Sequence, residues 1–335
     1  MKSVGIIANP ASGKDIRRLV AYGSVFDNHE KSNIIKRILM ALDALGIQHV
    51  YIMPDLSGVG SKALDDVAIS LSAQFLEMAV DGNQQDSMRA AAMMNAMDVG
   101  CIITLGGDGT NRVVAKTCRE TPLLPISTGT NNVFPFMIEG TLAGLAAGLL
   151  AAGKVGVEEC CLSVPYLELS CGNEIIDTAL VDLVVTDDAY IGARAVWEPE
   201  SIKEVFLARA RPTGIGFSAL GGYLEPIPSG SIKGMHIVAG KGEKAVRAPL
   251  APGLISELSI ASYRTFGPSE EIPISRLPAT LALDGERELS LDEADEMSVR
   301  LRSDGPVVVD IDRALWLAAE RNLFVHGAKR PTSFN

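Results

Sequence analysis

Apolar residues in the first half of the chain fall into short runs separated by helical patterns. Val4-Gly-Ile-Ile-Ala8 reads as a buried strand, Ile47 to Met53 as a second, Cys101 to Leu105 as a third and Leu123 to Ile126 as a short fourth. The third run has no polar alternation, so it suits a strand covered on both faces. Between them, Ile34, Ile35, Ile38, Leu39, Leu42 and Leu45 recur at helical spacing over Ser32 to Leu45, and Gly46 supplies a stop. Further helices are predicted near Lys62 to Phe75, Gln84 to Met97 and Thr141 to Gly153. Strands that alternate with helices build a parallel sheet, so residues 1–155 are expected to form a three-layer α/β lobe.

The pattern changes after Lys154. Val157 to Ser170, Glu174 to Thr186, Gly214 to Ala219, Ser231 to Ala239 and Leu258 to Tyr263 are strand-like and separated by turns, with one helix expected near Glu200 to Arg209. Residues 156–305 therefore read as a β-rich lobe. Val307 to Glu320 returns to helical spacing, and 306–335 is expected to pack back on the first lobe, leaving a cleft between the two.

Composition narrows the class. Of 335 residues, 47% are hydrophobic and 21% charged, which fits a globular protein with two cores. A net charge of −11 without a basic block argues against nucleic acid as a partner. The five cysteines form no CxxC pair and the four histidines show no ligand spacing, so neither a disulfide framework nor a zinc site is expected, and a reducing cytoplasm fits. Met1-Lys2-Ser3 runs straight into a strand, with no signal-peptide pattern. The most membrane-like stretch, Thr141 to Gly153, is too short to span a bilayer and reads as a closely packed helix. Self-association is left open.

Four segments carry candidate chemistry. Gly106-Gly107-Asp108-Gly109-Thr110 closes the third strand and opens a helix. Paired glycines let backbone approach phosphate oxygens, and the coming helix aims amides at the anion. Asp108 would repel a bare phosphate, so it must hold a cation or take a proton, as phosphoryl transfer requires. The same letters also suit a strand-to-helix turn with Asp108 as N-cap. Asn9-Pro-Ala-Ser12-Gly13-Lys14 follows the first strand at the same sheet edge, where Ser12 and Lys14 can reach phosphate. Ser127-Thr128-Gly129-Thr130-Asn131-Asn132 follows the fourth strand and suits phosphate and ribose contact, or capping of the next helix. Asp284-Gly285-Glu286 offers two carboxylates for Mg²⁺ or, equally, a type I′ hairpin turn.

In this order the four segments resemble the superfamily of NAD kinases, diacylglycerol kinases and sphingosine kinases. NPASGK and GTNNVF are similar to its lipid-kinase branch. Arg211-Pro-Thr213-Gly214-Ile-Gly-Phe-Ser-Ala-Leu-Gly-Gly222 resembles the NAD-kinase segment TPTGSTAYSLSAGG without its STAY. Ala179-Leu-Val181-Asp182 resembles ALNE, with Val181 in place of the asparagine. Asp15 to Phe26 and the overall layout resemble the acetoin-catabolism protein X group, grouped with ATP-NAD kinases. This resemblance implies transfer of a phosphoryl group from ATP, or polyphosphate, to a hydroxyl, most directly the adenosine ribose 2′-OH of NAD, yielding NADP. It implies Asp108 as general base or electrostatic anchor and Gly106, Gly107, Gly109 and Thr110 at phosphates. Asn9, Ser12 and Lys14 would flank the donor, with Gly129, Thr130, Asn131 and Asn132 nearby. Asp182, Thr213 and Gly214 would meet the acceptor, and Asp284 and Glu286 would support Mg²⁺. Two alternatives stand beside it: a kinase of a lipid or small-metabolite hydroxyl, and a non-catalytic nucleotide sensor tied to acetoin catabolism.

Overall fold

The buried runs of the first half become the central strands of one sheet. A computed structural model describes residues 1–13, 26–65, 67–187, 199–275, 278–292 and 296–325, apart from the side chains of 286–288. The first lobe runs β1 (Val4–Ala8), α1 (Asn28–Ala44), β2 (His49–Ile52), α2 (Val59–Leu64), β3 (Ser72–Phe75), α3 (Gln84–Ala96), β4 (Cys101–Gly106), α4 (Asp108–Cys118), β5 (Leu123–Ser127) and α5 (Gly140–Ala151). A short helix α6 (Val157–Cys160) leads to β6 (Cys161–Ser163), β7 (Tyr166–Cys171), β8 (Glu174–Ala179) and β9 (Asp182–Thr186). After a 3-10 turn at Pro199–Ser201 come β10 (Ile202–Leu207), α7 (Phe217–Leu224), β11 (Gly234–Ala251), β12 (Leu254–Phe266) and β13 (Glu271–Pro273). The chain ends through β14 (Ala279–Leu283), β15 (Glu286–Leu291), β16 (Met297–Arg302), β17 (Val307–Val309) and α8 (Ile311–Glu320).

The first sheet has the order β3-β2-β1-β4-β5-β17-β6, parallel except for β6. Val4, Ile6, Ile7, Ile102 and Ile103 are fully buried because helices cover both faces. The β-rich lobe holds a six-stranded sheet, β12-β11-β10-β9-β14-β15, and a four-stranded one, β13-β16-β7-β8. Their facing sides share a core that includes Leu169, Leu183, Phe206, Leu281 and Val299, while α7 covers the outer face of β10 and β11 through Leu220. The expected return of the chain holds: β17 pairs with β5, and Ile311, Ala314, Leu317 and Ala318 of α8 join the core of the first lobe. Among the described residues no helix is long and apolar enough to cross a membrane.

Four local expectations are corrected. The helix over Lys62 to Phe75 stops at Leu64, because Ser72–Phe75 pairs with β2 to complete the sheet edge. Val157 to Ser170 is not one strand. Its first turn is helical, and Cys161–Ser163 joins the first sheet against β17. The helix near Glu200 to Arg209 is β10, held on both sides by β9 and β11; Ile202, Val205 and Phe206 recur at the i, i+3, i+4 spacing of a helix, and the sheet partners decide otherwise. Gly214 to Ala219 is a turn entering α7, whose Phe217 and Leu220 at i, i+3 face the core.

Helix α5 explains its own composition. Gly140, Gly144 and Gly148 lie against α1, and a Cβ on Gly144 would sit 2.8 Å from both the Ile38 carbonyl oxygen and the Ala41 Cβ. Small residues let the two backbones approach, so Gly144→Val should destabilise the fold by about 1–3 kcal/mol through overpacking. Urea denaturation checks this, with an unchanged midpoint counting against it.

Candidate functional site

Three loops leave the carboxyl ends of β1, β4 and β5 and are stitched together by their own polar groups. Asn9 donates its backbone N–H to the Leu105 carbonyl (3.0 Å), and its Nδ2 donates to Thr110 Oγ1 (2.9 Å). Ser12 Oγ donates to the Asn9 carbonyl (2.7 Å) and accepts from Thr128 Oγ1 (2.9 Å). Gly13 has φ +73°, and a Cβ there would lie 2.6 Å from the Thr128 carbonyl, so only glycine lets the first and third loops meet. Lys14 lies outside the described residues. The cation of this loop is instead Lys31 of α1, fully buried, whose ammonium donates to the carbonyls of Asn9 (2.9 Å), Pro10 (3.2 Å) and Ser12 (2.6 Å) and to Asn28 Oδ1 (3.2 Å).

The second loop opens α4. Gly107 occupies the N-cap position without a side-chain cap, and Asp108 is already the first helical residue, so the N-cap reading of Asp108 does not hold. The Asp108 carboxylate is buried and turned toward the third loop. Val133 N–H donates to Oδ1 (3.1 Å) and Oδ2 (3.0 Å), and Phe134 N–H donates to Oδ1 (2.8 Å). Amide donors on both oxygens fix its orientation and make it a positioned negative charge. Asn111 holds the turn from behind, donating to the Gly107 carbonyl (2.8 Å) and accepting from Thr104 Oγ1 (2.6 Å).

Asn132 does not cap a helix, since α5 begins at Gly140 behind the N-cap Glu139. Its Nδ2 donates to Ser127 Oγ (2.8 Å) and the Gly129 carbonyl (3.3 Å), and its Oδ1 would lie 2.7 Å from a Cβ on Gly107. Gly106, Gly107, Gly109, Thr110 and Gly129 thus share one small region, with Asn131 half-buried and Thr130 exposed at its rim.

The β-rich lobe supplies the facing wall. Asp284 and Gly285 have φ of +50° and +79° between paired Leu283 and Glu286, the signature of a type I′ turn. The Asp284 carboxylate is enclosed: it accepts from the amides of Leu180 (2.9 Å), Val181 (2.7 Å) and Asp182 (3.2 Å), and Arg112 Nε lies 3.8 Å away. Burial pushes its carboxyl up, while Arg112 and those amides pull the other way. A carboxylate so engaged does not fit an Mg²⁺ ligand, the Glu286 side chain lies outside the described residues, and no cluster of His, Cys, Asp or Glu among the described residues is arranged for a metal. In this geometry the Asp284 carboxylate staples its own turn to the 180–182 segment. Asp182 is buried at the start of β9, its carbonyl accepting the Asp284 N–H (2.9 Å). Thr213 is exposed and Gly214 half-buried in the turn before α7, where Gly214 N–H closes on the Arg211 carbonyl (2.9 Å).

Sequence reasoning missed the cations. Arg209 donates Nε to the Leu180 carbonyl (3.2 Å), and its guanidinium lies 4.7 Å from the centroid of the Phe134 ring. Burial first, then the neighbouring Arg211, push Arg209 down to about 10, against the pull of Asp108 and Asp284. Arg209 thus touches both Leu180, whose N–H bonds Asp284, and Phe134, whose N–H bonds Asp108. Its signal was the Arg-Ala-Arg spacing of 209–211, just after β10, and both arginines line one cavity. Lys31 had no signal, because a lysine in a helix ordinarily reads as surface.

Residues 4–154 match the ATP-NAD kinase N-terminal domain family, and residues 165–304 match the acetoin catabolism protein X C-terminal domain family. Acetoin catabolism protein X of Cupriavidus necator is 35% identical over 334 residues, covering 96% of this chain and 93% of that protein. In three dimensions the chain is similar to yeast NADH kinase complexed with NADH, with a TM-score of 0.51 and 15% identity over 99% of this chain and 90% of that one. A diacylglycerol kinase from Bacillus anthracis gives a TM-score of 0.46 and 16% identity over 92% and 96% of the two chains.

Lys31→Met should cost about 2–3 kcal/mol, because it leaves half-buried carbonyls of the first loop without their charged donor. Urea unfolding measures this, and wild-type stability would show that the loop is held by other means.

Proposed function

The chain belongs to the acetoin catabolism protein X family, and from that premise we propose that it is a phosphotransferase acting on an alcohol hydroxyl, with an NAD-type dinucleotide as acceptor and ATP or polyphosphate as donor. The observation that carries this reading is the meeting of three glycine-bearing loops at one sheet edge, with the Asp108 carboxylate held among them by the Val133 and Phe134 amides. Backbone amides at the uncapped start of α4 suit donor phosphates. Asp108 would accept from the acceptor hydroxyl and stabilise the proton it loses. Asn9, Ser12 and Lys14 would flank the donor, Asp182 would reach the acceptor, and Thr213 and Gly214 would border it. Magnesium would assist by neutralising donor phosphates, yet Asp284 is committed elsewhere, and no step is assigned to the metal. In the same reading residues 1–155 with 306–335 form the nucleotide lobe and 156–305 the acceptor lobe.

One observation favours a second reading. Val181, where NAD kinases carry asparagine, is fully buried in an apolar cluster with Ile7, Ile102, Val114 and Leu123. It offers the ligand no polar atom, which weakens the case for a dinucleotide and favours a smaller or more apolar hydroxyl.

Thermal unfolding of the full chain with ATP, NAD and NADP, paired with a phosphate-transfer assay, tests the reading. ATP and NAD should each raise the midpoint. Asp108→Asn should cut turnover at least ~100-fold, the scale of a lost catalytic carboxylate. Because an asparagine NH₂ would face the Val133 N–H, this variant should also lose about 1–2 kcal/mol of stability. Turnover within a few-fold of wild type removes Asp108 from the chemistry, and no response to either nucleotide at millimolar concentration overturns the proposal.

A further inference from the structure

Beside the glycine loops, on the far side of Phe134 and Arg209, lies a cavity of about 480 Å³ between the lobes. One wall is Phe134, Phe136 and Met137 from the segment after β5, and another is Val309 and Ile311 where β17 enters α8. The third wall is different in kind. Arg209 and Arg211 both line the cavity, while Ala210 between them is fully buried in the core of the β-rich lobe.

Two guanidiniums two residues apart on an apolar wall repel each other unless an anion joins them. Arg209 has partial compensation from Asp108 and Asp284, whereas burial depresses Arg211, which makes no ion pair with a carboxylate among the described residues. The acidic residues that line the cavity, Asp310 and Asp312, are exposed, where solvent screens them, and Asp310 is occupied in capping α8 through the Arg313 N–H (2.9 Å). The mouth carries exposed Phe136, Met137 and Leu162, an apolar approach that a fully hydrated ion would not need. The volume is that of a small-molecule site.

We infer that this cavity binds an amphipathic organic anion, its carboxylate or phosphate paired with Arg211 and Arg209 and its apolar body against Phe134, Phe136 and Met137. The guanidinium forks match either oxyanion bidentately. The site is separate from the glycine loops and does not rest on the phosphotransfer reading. Its occupant would sit one side chain from Asp108, because the Phe134 that walls the cavity donates its N–H to that carboxylate.

Calorimetric titration of the full chain with octanoate, octyl phosphate, octanol and inorganic phosphate tests this. At least one of the two amphiphilic anions should bind saturably, and whichever binds more tightly identifies the oxyanion. Octanol and inorganic phosphate should each bind at least about tenfold more weakly, since each lacks one half of the recognition. Arg211→Gln should weaken anion binding about ten- to a hundredfold, the range of a lost charge-assisted hydrogen bond, with Arg211→Lys intermediate and both variants unfolding as wild type. Added salt should weaken it further. ATP titrated into Arg211→Gln is the separating control, because ATP binding at the glycine loops should survive the substitution. Octanol binding as tightly as the anions, an Arg211→Gln variant with wild-type affinity, or no anion binding at millimolar concentration would overturn the inference.

Discussion

The site depends on how α4 is pinned between the lobes. Arg112, one turn after Asp108 and almost fully buried, reaches Asp177 of β8 at 3.1 Å and the Asp284 turn at 3.8 Å. Lys116, one turn further, meets the other Asp177 oxygen at 2.6 Å. The helix that presents Asp108 is thereby tied to the β-rich lobe along one face. Such buried pairs add little net stability against an apolar alternative, but breaking one strands a charge at a cost of about 3–5 kcal/mol. Their effect here is geometric: the lobes cannot slide without separating these charges, so the facing wall of Arg209, Asp182 and Leu180 keeps its place opposite the loops.

A second constraint acts within the first lobe. Lys31 gathers the carbonyls of Asn9, Pro10 and Ser12 from below, leaving the Asn9 and Ser12 side chains to Thr110 and Thr128. An internal ammonium thus does for the backbone what a bound phosphate could not, because carbonyls repel anions. The amides of the α4 start are left for an anion, and the two halves of the loop set have opposite polarity.

The two walls of the cleft differ in polarity. Val181 faces the core where a polar contact would be needed, and the Asp284 carboxylate is spent on three amides. In their place the cleft carries the Arg209–Phe134 stack and an adjoining cavity.

The sequence by itself determined the parallel sheet, the β-rich second lobe, the returning helix and the strand-edge loops, because buried runs, helical periodicity and glycine turns are local properties of the chain. It could not decide β10 against a helix, since Ile202, Val205 and Phe206 fall at helical spacing until β9 and β11 offer hydrogen bonds on both sides. Nor could it decide whether Asp284 was ligand or staple. Asp-Gly predicts the turn, but the three amides that capture the carboxylate lie about a hundred residues earlier in the chain. Lys31 gave no signal for the same reason, because burial is a property of what packs above a residue. Tertiary structure alone assigned the charges their partners, since Coulomb and hydrogen-bond energies depend on distances through space that spacing along the chain does not encode.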